Sequence, residues 1–253
     1  MGGKPGKIRL DRLLMERGMA TTRERARSLI MAGAVLIGDV PADKAGALVA
    51  PDAAVRLRGR EHPYVSRGGV KLKGALVAFG IDVRGRIALD VGASTGGFTD
   101  CLLQEGASKV YALDVGYGQL AWKLREDARV VPIERTNIRH FDGGLLKDDI
   151  DLVTIDVSFI SLRQVLSPVL RLLRREAILL LLVKPQFEVG RGEVGKGGVV
   201  RDPSKQEGAL RSVEQFCRDA GLEVLGACES PILGPAGNRE FFLYAGKGAV
   251  RNE

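Results

Sequence analysis

The chain has 253 residues, 45% of them hydrophobic and 27% charged, which fits one large or two smaller compact units and excludes a fibrous or wholly disordered chain. Its longest apolar run, Ala177–Val183, falls far short of the about 20 residues a membrane helix needs, and the start MGGKPGKIRLDRLL lacks the apolar region and cleavage site of a signal peptide, so a cytoplasmic protein is expected. The net charge of +7 is uneven: residues 1–60 hold 12 Lys+Arg against 6 Asp+Glu, a surplus of +6, while residues 61–253 hold 26 against 25. A basic head on a nearly neutral body is the layout that contact with nucleic acid or an anionic surface requires. The expected division is a head at 1–60, a linker at 61–66 and a body at 67–253.

In the head, Leu10, Leu13 and Leu14 lie on one helical face, and Gly18 is placed to end that helix. A second helix follows, capped by Thr21 or Thr22, carrying the stripe Ala26, Leu29 and Ile30 and closed by Gly33. Ala34–Ile37, a turn at Gly38-Asp39 and the alternation Val55/Leu57 predict short strands of a small sheet. Arg9, Arg12, Arg23 and Arg27 are the candidate phosphate contacts; the competing assignment for each is a solvated helix face.

From Gly85 the chain alternates apolar strand runs with helical stretches: IALDVG, a helix near Gly97–Gln104, VYALDVG, a helix near Leu120–Glu126, VVPIE, LVTIDVS and ILLLLVK. Such alternation predicts a parallel sheet covered on both faces, with ligands at the carboxyl ends of its strands. The first strand ends in Asp90-Val91-Gly92-Ala93-Ser94-Thr95-Gly96-Gly97, where glycines permit a tight turn and close backbone approach by a ligand. A dinucleotide fingerprint counted from Gly92 would need a second glycine where Ser94 stands, which weakens an NAD-linked enzyme. The D-x-G-x-x-x-G form resembles the S-adenosylmethionine loop of Rossmann-like methyltransferases. Asp90, Gly92, Ser94, Thr95, Gly96 and Gly97 are therefore candidate cofactor residues. Asp114, at the end of VYALD, is placed to accept hydrogen bonds from a ribose diol, or else to cap the next helix. A side chain at Gly92 is expected to fill space the ligand needs.

Four polar residues stand where a buried sheet does not want them: Asp156 after LVTI, Lys184 after ILLLLV, Glu240 before FFLYA, and Lys71 after SRGGV. Lys184 is the most informative, because a buried ammonium costs several kcal/mol unless carboxylates surround it. Such a lysine suits a general base, or forms a structural ion pair with Asp156. Lys73 competes with Lys71, and spacing does not choose between them. The glycine-rich segment after Lys184 carries Arg191, Lys196 and Arg201, and is expected to be a flexible RNA-facing loop. Trp122 is assigned to the core or a cofactor-pocket wall. Cys101, Cys217 and Cys228 form no CxxC pair, and His62 and His140 have no ligand cluster, so free thiols and no metal are expected.

Seven motifs in order, SRGGVKL, LDVGASTGGFTD, DVGYGQLAWKLR, ERTNIR, DVSFISL, VKPQFEVGRGEVGKGGVVRD and GNREFFL, are similar to those of the TlyA (hemolysin A) family of ribosomal RNA 2′-O-methyltransferases. The segment IRLDRLLMERGMATTRERARSLIMAGAVLIGD resembles that family's S4 RNA-binding domain. The resemblance implies an α/β fold, with a Rossmann-like, FtsJ-like methyltransferase body behind a small α+β S4-like head. It also implies S-adenosylmethionine as cofactor, ribosomal RNA as partner, and a catalytic Lys-Asp-Lys-Glu set at Lys71, Asp156, Lys184 and Glu240, which selects Lys71 over Lys73. Asn137 in ERTNIR resembles a cofactor-pocket position, with a turn-forming asparagine as the alternative. The implied product is 2′-O-methylcytidine in 23S rRNA, with 16S as a second target. Dual-activity members tend to be longer at the chain ends, so 23S is the primary expectation. A noncatalytic RNA-binding relative would have a damaged four-residue set, whereas all four positions are filled here. A membrane-active hemolysin would need export and membrane-active segments, which this sequence does not display.

Overall fold

The computed structural model describes residues 6–38, 40–57, 62–173 and 176–248, and the chain divides into two compact units between Pro63 and Tyr64. In the first unit β1 (Ile8–Arg9) runs into α1 (Leu10–Glu16), followed by α2 (Arg23–Met31), β2 (Val35–Ile37), β3 (Val40–Pro41), β4 (Leu48–Val49) and β5 (Val55–Leu57). Leu10, Leu13 and Leu14 of α1 meet Ala26 and Ile30 of α2 over Val35, Val49 and Val55, so the i, i+3, i+4 stripes of both helices are what the small core is made from. Thr22, rather than Thr21, caps α2 by accepting the Arg25 N–H at 3.1 Å. Gly18 and Gly33 follow the two helix ends at φ +68°, a left-handed conformation that favours glycine. β3, β2 and β5 form an antiparallel sheet, and β1 pairs with β4. That second pairing involves strands of two residues, too short to show alternation in the sequence. Asp39, expected in the turn, lies outside the described residues.

The second unit consists of α3 (Gly68–Phe79), β6 (Ile87–Val91), α4 (Gly97–Gln104), β7 (Lys109–Leu113), α5 (Trp122–Arg125), β8 (Val130–Ile133), β9 (Leu152–Ile155), α6 (Leu162–Leu172), β10 (Ala177–Val183), α7 (Pro185–Glu188), α8 (Pro203–Asp219), β11 (Glu223–Glu229) and β12 (Phe241–Lys247). Its seven strands are ordered β11-β12-β10-β9-β6-β7-β8. The five from β10 to β8 are parallel, as expected, but β12 runs antiparallel to both β10 and β11. The all-parallel expectation is corrected because no helix lies between β11 and β12 to carry the chain across the sheet.

Side chains of β10 alternate between two cores. Leu179, Leu181 and Val183 pack with Leu166 of α6 and Val213 of α8, while Ile178, Leu180 and Leu182 pack with Leu72 of α3 and Leu102 of α4. A seven-residue run without a polar side chain is thus explained by helices on both faces. The expected linker 61–66 is only partly a connector. Tyr64 is buried in the body, so close to Gly69 that a Cβ there would sit 2.2 Å from its ring, and Val65 N–H donates to Asp100 at 2.7 Å. Among the described residues no helix is long and apolar enough to cross a membrane.

Candidate active site

Strand direction gathers the candidate residues at one edge of the sheet. Asp114, Asp156 and Lys184 directly follow parallel β7, β9 and β10, and the loop 92–96 follows β6. Glu240 precedes β12, which runs the opposite way, so its start lies at the same edge. Val183 pairs with Phe241, the residue after Glu240. Pro185 supplies no N–H to continue a ladder and opens α7, which ends the strand at the lysine.

Two ion pairs occupy this edge, Lys71–Glu240 buried and Lys184–Asp156 partly buried. Lys184 Nζ lies 2.5 Å from Asp156 Oδ1 and donates to Ser158 Oγ at 3.0 Å. Lys71 Nζ donates to Glu240 Oε2 at 2.6 Å, the two residues being 7% and 1% exposed. Glu240 Oε1 is buried without a hydrogen-bond partner among the described residues. Lys73 instead pairs with Glu105 at 2.7 Å on a much more exposed part of the surface. All four residues of the expected set are therefore brought to one strand edge as two pairs, and Lys73 is not among them.

The loop after β6 takes its shape from three left-handed residues: Gly92 at φ +87°, Ser94 at +50° and Gly96 at +94°. Ser94 thus adopts a conformation that usually needs glycine, which is why a motif lacking its middle glycine still makes the turn. A Cβ on Gly92 would lie 2.3 Å from the Asp156 carbonyl oxygen. What the missing side chain first makes room for is the backbone that carries Asp156. Gly96 is likewise filled against Leu124, and Gly97 against Ser66, so both serve helix packing. Ser94 and Thr95 are exposed.

Asp90 does not face the edge as a ligand contact. It is fully buried and accepts the hydroxyls of Thr99 at 2.7 Å and Thr154 at 2.9 Å, tying α4 to β9 beneath the loop. Burial pushes its carboxyl up to about 6, the two hydroxyls opposing and the Asp156 charge adding to the rise. The sign follows directly. Folded protein holds the Asp90 proton more tightly than unfolded protein, so this group's contribution to stability falls as pH rises from about 4 to about 6 and is level above. Relative to Asp90→Asn, wild type should lose on the order of 2–3 kcal/mol across that window. Unfolding titrations of both proteins at pH 4.5 and 7 check this, and a constant difference between them contradicts it.

Asp114 remains partly exposed. Its two oxygens accept Ser94 N–H at 2.8 Å and Gly116 N–H at 2.6 Å, which leaves each with a further lone-pair direction. Asn137 accepts the Arg139 N–H at 3.0 Å as the cap of a 3₁₀ turn at Ile138–His140, so its carbonyl is used by the turn. Trp122 is not in the core: it is 71% exposed, because α5 is only four residues long and spends its buried position on Leu124.

Three residues of the edge were not legible in the sequence. Phe159, between Asp156 and α6, is 92% exposed at φ +65°, an unusual conformation for a bulky residue, and its ring centroid lies 5.3 Å from that of Phe187. Glu188 is buried and accepts Ser161 Oγ at 2.6 Å and Leu162 N–H at 2.8 Å, joining the segment after Asp156 to the one after Lys184. Asn238 is buried, accepts Val200 N–H and donates to Gly198 O, both at 2.9 Å. The glycine-rich segment is thus clasped at its far end rather than loose throughout. Lys196 is exposed on it, and the side chain of Arg191 lies outside the described residues.

The model of the FtsJ-like methyltransferase family matches residues 64–247, and that of the S4 domain matches residues 8–55. Over 239 residues the chain is 48% identical to the 16S/23S rRNA (cytidine-2′-O)-methyltransferase TlyA of Mycobacterium tuberculosis, covering 94% of this chain and 89% of that one. It is 40% identical to the 23S rRNA (cytidine-2′-O)-methyltransferase TlyA of Campylobacter jejuni, covering 72% and 70%. The chain belongs to the TlyA (hemolysin A) family. Among solved structures, a protein of Streptococcus thermophilus described as a hemolysin superposes with a TM-score of 0.74 at 43% identity, covering 96% of this chain and 89% of that one. Membership implies use of S-adenosylmethionine.

The S4 domain uses its arginines differently from a simple solvated face. Arg9 donates to both oxygens of Asp11, at 3.0 and 2.8 Å, and Arg23 Nε reaches Asp11 Oδ2 at 3.2 Å. Arg12 pairs with Glu16 at 2.9 Å. Of the four arginines expected to meet phosphate, Arg27 alone is exposed with no carboxylate partner among the described residues. Replacing Arg23 therefore disturbs a buried carboxylate as well as removing a surface charge.

Proposed function

We propose that this TlyA-family protein transfers a methyl group from S-adenosylmethionine to the ribose 2′-oxygen of a cytidine in ribosomal RNA, in the cytoplasm, with 23S rRNA as the primary target. The observation that carries this reading is the two contacts between buried lysines and carboxylates at the carboxyl edge of a Rossmann-like sheet, beside a left-handed glycine turn. The half-exposed Asp114 fits a ribose diol, and exposed Ser94 and Thr95 of the turn lie beside it. Asp114, Gly92, Ser94, Thr95 and Asn137 are the proposed residues around the cofactor, with Asp90, Gly96 and Gly97 holding the turn from behind. Bound S-adenosylmethionine supplies an electrophilic methyl carbon.

The protein must then hold the 2′-oxygen in line and receive its proton. Lys184 is assigned that proton, which it takes as the neutral amine after its ammonium has passed one proton to solvent. Asp156 and Ser158 fix its Nζ from two sides, and the Asp156 carboxylate balances the charge that appears there. Lys71 and Glu240 position the ribose, Glu240 Oε1 being an acceptor that nothing else among the described residues uses. Phe159 presents a bare ring to stack on the base of the target nucleotide. The S4 domain anchors ribosomal RNA through Arg9, Arg12, Arg23 and Arg27, with Arg191 and Lys196 of the glycine-rich segment as contacts on the methyltransferase side. The test is incubation of the full chain with labelled S-adenosylmethionine and purified large and small ribosomal subunits, separately. Label in RNA of the large subunit is expected. Label in neither RNA overturns the reading, and label in the small subunit alone overturns the choice of 23S.

A further inference from the structure

We propose that Asp11 is a positioning residue for RNA capture, holding the Arg9 and Arg23 guanidiniums side by side as one preformed phosphate-binding fork. The inference rests on the reading of the S4 domain as the RNA anchor. Asp11 has no exposed side-chain surface, whereas the side chains of Arg9 and Arg23 are 41% and 57% exposed. The carboxylate thus lies beneath two cations that reach past it into solvent. Without it, two guanidiniums brought to one point repel each other. With it, the cluster keeps a net positive charge at the surface.

Donor use supports the same assignment. Arg9 spends Nε and Nη2 on the carboxylate, and Arg23 spends Nε alone. Arg9 Nη1 and both terminal nitrogens of Arg23 have no protein partner among the described residues, so each arginine keeps donors for a planar, two-point contact with a phosphate. The hydrogen bonds from Arg9, opposed by burial and helped by the one from Arg23, hold the Asp11 carboxyl down at about 2, so the cluster stays ionised throughout the neutral range. Two further arginines are used differently. Arg12 is neutralised by exposed Glu16, and Arg17 donates to the Ala53 carbonyl at 2.8 Å. Exposed Gly46 completes the seat: a Cβ there would lie 3.2 Å from Arg9 Nη1, so the absent side chain lets the guanidinium lie flat. Side chains fixed before encounter lose less freedom on contact.

The sign of one substitution separates positioning from charge. Asp11→Asn makes the domain more positive by one, so through-space attraction alone tightens RNA binding and steepens its salt dependence. Positioning predicts the opposite: binding to purified large ribosomal subunits about threefold to tenfold weaker, with the slope of log affinity against log salt shallower by about 0.7–0.9 for each phosphate that is no longer neutralised. Full-chain wild type, Asp11→Asn, Arg23→Gln and Gly46→Val are compared at several salt concentrations. Gly46→Val keeps every charge and places its Cβ nearest the Arg9 guanidinium, so it should also weaken binding, and it decides the matter if Asp11→Asn does not fold. Folded Asp11→Asn that binds as well as wild type or better, with Arg23→Gln weakened, overturns the positioning role and leaves the domain as the anchor. Wild-type binding by Gly46→Val when Asp11→Asn is unfolded overturns it too. Wild-type binding by Arg23→Gln overturns both the proposal and the reading beneath it.

Discussion

Lys184→Ala should bind S-adenosylmethionine nearly as wild type does and transfer its methyl group about 10²–10⁴-fold more slowly in single-turnover reactions, the range that loss of a general base produces. Cofactor affinity is spared because Lys184 follows β10, whereas the proposed cofactor residues lie after β6, β7 and β8. The variant also leaves Asp156 without its buried cation, which is itself destabilising. Circular dichroism and thermal unfolding therefore accompany the rate measurement, so that a slow but folded enzyme is told from an unfolded one. Full single-turnover activity in folded Lys184→Ala removes Lys184 from the chemistry.

Gly92→Val should lose cofactor binding and stability together. The new side chain meets two obstacles: a φ of +87° that a β-branched residue resists, and the Asp156 carbonyl 2.3 Å from its Cβ. Relief requires the turn and the start of the Asp156 segment to separate, at about 2–4 kcal/mol for backbone strain and overpacking combined. Because Asp156 N–H donates to Val91 O at 2.9 Å next to this contact, the displacement passes to the Lys184 pair. Titration calorimetry with S-adenosylmethionine and denaturant unfolding check both effects. A folded variant of unchanged affinity and stability contradicts the account of the loop.

What the sequence disclosed and what it hid divide along a physical line. Lys184 was visible because the residues before it are all apolar: a charge after seven consecutive aliphatic residues has few uses. Periodic leucines likewise exposed α1, and glycines after the strands marked the ligand edge. Features that depend on partners distant in the chain were not visible. Arg9 and Arg23 read as separate phosphate contacts or solvated charges, and only the fold places Asp11 between them. Asp90 read as a ligand contact until Thr154, 64 residues away, was found at its oxygen. Asn238 sits in a motif whose flanking Glu240 drew the chemistry, yet its own partners are Gly198 and Val200. Phe159 gave no signal because backbone conformation at one residue has no periodic pattern. The antiparallel β12 escaped because EFFLYA is as apolar as the parallel strands, and only the absence of an intervening helix distinguishes it.

If the two Lys–carboxylate pairs at the strand edge direct methyl transfer to a ribose 2′-oxygen, the chemical identity of the product must show it. Large-subunit rRNA methylated by the full chain with labelled S-adenosylmethionine is digested to nucleosides and resolved by mass spectrometry. The account predicts that label is recovered as 2′-O-methylcytidine and that folded Lys184→Ala reduces that product alone. Label recovered as a base-methylated nucleoside, or 2′-O-methylcytidine formed at the wild-type rate by Lys184→Ala, would contradict it.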